Sequence, residues 1–143
     1  MGEGILVIII VCVVCAFIFN ILNTREKQST PNYRTEVSQV NEIPVNNDSQ
    51  IKPQGWLGLT HQGMFFEFQI VRMNQNEVRA YLLSHPSYGF RSKSLHDTHR
   101  LPDGNRFYVC PGEIPKTGGE AKQFAKYWCI YTEHYIRTGE KLI

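Results

Sequence analysis

His96, Asp97 and His99 put two imidazoles and a carboxylate within four consecutive positions. Neutral imidazole and carboxylate are ligands for divalent first-row metals, and Cys110 or His134 would have to complete a tetrahedral set. The spacing matches no zinc pattern, and no C-x-x-C accompanies it. The same groups would serve a hydrolase as general acid and general base. A small metal-binding or hydrolase domain using His96, Asp97 and His99 is therefore the alternative to the reading developed below, which is non-catalytic and takes no cofactor.

The stretch also contains H-x-T at residues 96–98, and His85-Pro86-Ser87 supplies an H-x-S. Together these triplets resemble the half-motifs of two-histidine phosphodiesterases. That resemblance covers six residues, and its halves stand eleven positions apart where such a fold needs them in separate lobes. Cys110 and Cys129 form a second candidate pair, one ending an expected strand and the other in a helix expected to cover the sheet. In an oxidising compartment a disulfide between them would close a loop of about 20 residues, worth roughly 3 kcal/mol. In the cytosol both would stay reduced, and Cys129 then reads as a buried thiol.

Between the triplets runs a segment with a distinct character. Residues 85–100 carry Tyr88, Phe90, Arg91, Lys93, His96, His99 and Arg100, with Asp97 the sole acid. A connection this long in so small a domain is often functional. Aromatic and basic side chains together suit a protein partner, anionic lipid headgroups or stacked bases. From Gly55 onward eleven Lys and Arg stand against eight Asp and Glu, a charge of +3. This falls short of dedicated nucleic-acid binders. The segment is expected either to lie over the open face of a sheet or to bind a protein partner. In the second case Ala at Arg91 and Arg100 would weaken capture without unfolding the domain.

The elements that hold the segment follow from periodicity. Met64–Arg72 alternates, with Met64, Phe66, Phe68 and Ile70 on one face. A turn at residues 74–76 leads to a strand over 78–84. The resulting register sets Ile70 opposite Ala80, Phe68 opposite Leu82 and Phe66 opposite Ser84. Leu101-Pro102-Asp103-Gly104 signals a turn between short strands at 97–101 and 106–110, and Trp56–Leu59 adds an edge strand. Thr117-Gly118-Gly119-Glu120 fits a capping box. The helix it opens runs to about Arg137, before Gly139. Ala121, Phe124, Ala125, Trp128, Tyr131, Thr132 and Tyr135 fall on its apolar stripe.

Ahead of this domain (55–143) lie two stretches of other composition. Residues 24–54 are rich in Asn, Gln, Ser and Thr and read as a disordered or extended tether. Val37, Val40, Ile43 and Val45 are the positions through which it would fold along a partner. Residues 4–22 read GILVIIIVCVVCAFIFNIL without a charge. As a helix they reach about 29 Å, matching the roughly 30 Å hydrocarbon core of a bilayer. With Met1-Gly2-Glu3 in front, the run lacks the basic start of a cleaved signal, so residues 1–23 are expected to be a signal-anchor. Arg25 and Lys27 follow it, which favours a cytosolic carboxyl side.

The expected class is α+β: a single transmembrane helix, a flexible tether, and a small antiparallel sheet of two hairpins packed on one C-terminal helix. The expected function is a non-catalytic membrane-anchored interaction domain, an accessory subunit of a larger membrane assembly. Its partners would be the lipid bilayer through residues 4–22 and a protein. A further alternative is an outward-facing viral envelope or secretion-apparatus protein with Cys110 and Cys129 bridged.

Overall fold

Alternation of apolar and polar residues makes the sheet, and a 3.6-residue stripe makes the helix that covers it. The computed structural model describes residues 36–44 and 52–141. The apolar run at 4–22, with the signal-anchor expectation that rests on it, lies outside these residues. Among the described residues, no helix is long and apolar enough to cross a membrane.

The described chain is α+β. Its strands are β1 (Asn41–Ile43), β2 (Trp56–His61), β3 (Met64–Asn74), β4 (Glu77–Ser84), β5 (Arg100–Asp103) and β6 (Arg106–Val109). They form one sheet in the order β1-β2-β3-β4-β6-β5, every pair antiparallel. Helix α1 (Gly118–Thr138) packs across one face. Phe66, Phe68, Leu57, Leu59 and Ala80 point from the sheet into the core, and Ala125, Trp128 and Ile130 meet them from the helix. Trp128 stands edge-on to both Phe66 and Phe68, with centroids 6.1 and 5.9 Å away. This geometry adds to the area the rings bury.

Local chemistry sets the ends of each element. Thr117 Oγ1 accepts from Glu120 N–H at 3.1 Å, while the Glu120 carboxylate accepts from Lys116 N–H at 2.6 Å. Gly139 closes the helix in the left-handed region at φ 81°, its N–H donating to Tyr135 O. Between β2 and β3, Gln62 and Gly63 both take positive φ, the twist a two-residue hairpin prefers.

The central hairpin pairs Ile70 with Ala80 and Phe68 with Leu82. One residue further the expected register slips: a bulge puts Glu67, rather than Phe66, opposite Ser84. The turn holds two residues, because Asn74 pairs with Glu77 and the Asn74 side chain caps the Asn76 amide at 2.8 Å. The sheet is larger than two hairpins. Trp56–His61 is an interior strand, because β1 lies outside it as the edge. Residues 36–43 thus belong to the domain instead of the tether. Val40 is 3% exposed and packs with Val37 on the core, so these valines complete their own domain. The strand expected at 97–101 begins only at Arg100. His99 takes φ 45°, which breaks the extended run.

Candidate functional site

The segment between β4 and β5 lies along α1, not over the open face of the sheet. Three aromatic side chains of the helix hold it by its carbonyls. Trp128 Nε1 donates to Thr98 O at 2.9 Å, Tyr131 OH to Asp97 O at 2.9 Å, and Tyr135 OH to Ser92 O at 3.2 Å. Buried carbonyls need such partners. The apolar stripe therefore understates the helix's buried surface: Trp128 through Glu133 are all buried, because sheet and segment enclose that turn from both sides.

Tyr88 is 3% exposed, its ring tilted against His85 and edge-on to Tyr135. Burial pushes its phenol up to about 12. Arg100 passes over the Tyr88 and Phe107 rings and donates to Thr98 Oγ1 and Lys93 O. Arg91 donates to Ile136 O and Arg137 O, a cation placed at the helix C-terminus where the dipole favours it. These three side chains build the segment. Phe90 is different. It is the described apolar residue left fully exposed, next to Gly89 in the left-handed region. Lys93 and His96 are exposed beside it in sequence.

The histidine cluster does not converge as a metal site. His96 and His99 stack with centroids 6.5 Å apart, and His99 packs on Tyr131 at 4.4 Å. Asp97 is in a turn, not on a strand face shared with His99. The Lys141 ammonium and the Ser92 and Ser94 hydroxyls hold its carboxyl well below the usual range. Among the described residues, no group of three His, Cys, Asp or Glu side chains is placed to hold a metal ion. His85 is half-buried with Nδ1 2.7 Å from Pro86 O, and burial lowers its basicity. Cys110 and Cys129 are free thiols. Cys110 follows the last residue of β6 and is half-buried, while Cys129 is buried in the core on α1. Burial pushes the Cys129 thiol well up, disfavouring thiolate.

The sheet face opposite α1 is occupied by its own side chains. Arg106 lies 3.9 Å from the Tyr81 ring, Tyr81 OH donates to Asp103, and Arg79 bridges Asp103 and Glu77. Tyr81 is consequently 0% exposed on a face that, among the described residues, its own neighbouring side chains cover.

Two features escaped sequence reasoning. His61 is 3% exposed, its Nδ1 3.7 Å from Glu133 Oε2, while Arg137 pairs with the other carboxylate oxygen. The sequence signal was its position: it follows Leu57 and Leu59 on the inward side of β2. The other is a cleft of about 400 Å³ beside β4 and β6, made by residues scattered over four parts of the chain. Compared with known protein families, curated proteins and solved structures, the chain gives no match.

Proposed function

We propose that this chain is a non-catalytic, membrane-anchored interaction protein, an accessory subunit of a larger membrane assembly. Its apolar run localises it, and its α+β domain presents residues 85–100 to a protein partner on the cytosolic side. One observation carries the reading: Phe90 stands fully exposed on a segment that is pinned to α1 by hydrogen bonds from Trp128, Tyr131, Tyr135 and Arg91. An exposed aromatic on a floppy loop would lose side-chain and backbone entropy on binding. Held in place beforehand, it loses less, and aromatic anchors of this kind dominate interface energies.

The Arg91 and Arg100 substitutions are a poor test, because both guanidiniums brace the segment itself. Phe90 touches none of these bonds. A photoreactive phenylalanine analogue at position 90, in the full chain in its own membranes, should cross-link to one protein species. The same analogue at Asn105, on the exposed β5–β6 turn, should not. Phe90→Ser should abolish co-purification of that species. Cross-linking that does not distinguish position 90 from 105 would sink the reading.

A further inference from the structure

We propose that Phe90 docks into an acidic surface of its protein partner, an apolar socket edged by Asp and Glu side chains. This rests on the reading that Phe90 anchors a protein contact, and it names the chemistry of what Phe90 meets. Phe90 is the third residue of a turn closed by Arg91 N–H donating to Tyr88 O at 3.0 Å. Both flanks of that turn are fixed. Tyr88 is buried against His85 and Tyr135, and the Arg91 guanidinium donates to Ile136 O and Arg137 O at the end of α1. It lies so close to the helix end that a Cβ on Gly139 would fall 2.5 Å from Arg91 Nη1. A tip held this way presents its ring in one place, which suits a shaped socket better than a fluid lipid surface.

The charges around the tip decide what edges the socket. Along the segment and the end of α1 that carries it, Arg91, Lys93, Arg100, Arg137 and Lys141 stand against Asp97, Glu133 and Glu140. Two of those acids are already engaged, Asp97 by Lys141 and Glu133 by Arg137. Glu140 stands 3.9 Å from His134 Nε2. Arg91 and Arg100 donate to neutral oxygens, and the exposed Lys93 ammonium has no acidic partner among the described residues. Counting histidines as neutral, three uncompensated cations face one acid. Complementary potentials steer two surfaces together, and like charges set against each other reject wrong partners. An anionic lipid surface would call for a cluster of about four to eight Lys and Arg side chains. Here Arg91 and Arg100 are held by the protein's own oxygens, which leaves Lys93 to meet a carboxylate directly.

The full chain in its own membranes, with the photoreactive phenylalanine analogue at position 90, tests this through Lys93. That side chain is exposed and braces nothing among the described residues, so replacing it leaves the segment in place. Lys93→Glu should lower the yield of cross-linked protein about tenfold, and Lys93→Arg should keep it within about twofold. Raising salt from about 0.01 to 1 M shortens the screening length from about 30 to 3 Å. That should lower the yield with Lys93 present, and the loss should be absent in Lys93→Glu. A water-soluble carbodiimide, which joins an amine directly to a carboxyl, should couple the same protein to Lys93 and fail with Lys93→Arg. A cross-link at position 90 that resists both salt and Lys93→Glu would overturn the acidic socket while leaving Phe90 as the anchor. Adducts on phospholipid instead of protein would overturn it in favour of a lipid surface. Equal cross-linking at positions 90 and 105 would remove the contact itself, and this proposal with it.

Discussion

At the scale of single residues, identical backbone angles carry different costs depending on the space around them. Gly55 and Gly63 sit at φ 76° and 77°, where any L side chain is strained. A Cβ on Gly55 would fall 2.3 Å from Ile70 O, whereas one on Gly63 would meet nothing within 4 Å. The contact at Gly55 is with backbone fixed by the Ile70 N–H to Gly55 O hydrogen bond, so it has little room to yield. Gly63→Ala should cost about 1–2 kcal/mol, the left-handed penalty alone. Gly55→Ala should cost at least about 3 kcal/mol, because a steric clash adds to that penalty. Urea denaturation followed by tryptophan fluorescence separates the two, since both tryptophans, Trp56 and Trp128, lie in the described domain. Equal losses would mean that the β2 lead-in shifts to accept the methyl group.

At the scale of elements, what the sequence revealed was whatever repeats or punctuates. Thr117, Glu120 and Gly139 mark both ends of α1, and alternation through Phe66, Phe68 and Ile70 sets two of three register pairs. What it concealed were placements with no local signature. The short run Asn41–Ile43 becomes a strand only because β2 offers it an edge. The segment at 85–99 shows no periodicity, and its path is dictated by three helical donors 30 to 43 positions away. Its histidines make that path sensitive to pH. Burial lowers the basicity of His85, and burial together with His96 lowers that of His99. Folded values below the unfolded value of about 6.5 mean their stabilising contribution is complete above that pH and is lost as pH falls through the folded values. A second loss should begin below about pH 4.5. There Asp97, Asp103, Glu42 and Glu67, all held low by their hydrogen-bonding partners, take up protons more readily unfolded than folded. Unfolding midpoints measured from pH 8 to 3 should therefore fall in two stages, and His85→Asn should shrink only the first. A single decline below pH 4.5 in both proteins would show that the segment does not sense histidine protonation.

At the scale of the whole molecule, on the proposed reading that residues 4–22 cross a membrane, the orientation rests on Arg25 and Lys27, the immediate flanking charges that bias it. The two domain cysteines convert that question into a measurement. Cys110 is half-buried and Cys129 buried, and both are free. The Cys129 thiol, pushed up by burial, forms little thiolate, so Cys110 should react first with any maleimide. With Cys12 and Cys15 replaced by Ser, a membrane-impermeant maleimide applied to intact cells should label nothing if the domain faces the cytosol. Permeabilisation should then expose Cys110 alone, and denaturation should add Cys129 without any need for reductant. Labelling of Cys110 in intact cells would put the domain outside and reverse the orientation. A requirement for reductant before either thiol reacts would also place it in an oxidising compartment, in a fold rearranged enough to bring β6 and α1 thiols together. The order of labelling reports the fold and the compartment separately, because burial ranks the two thiols whichever side of the membrane they occupy.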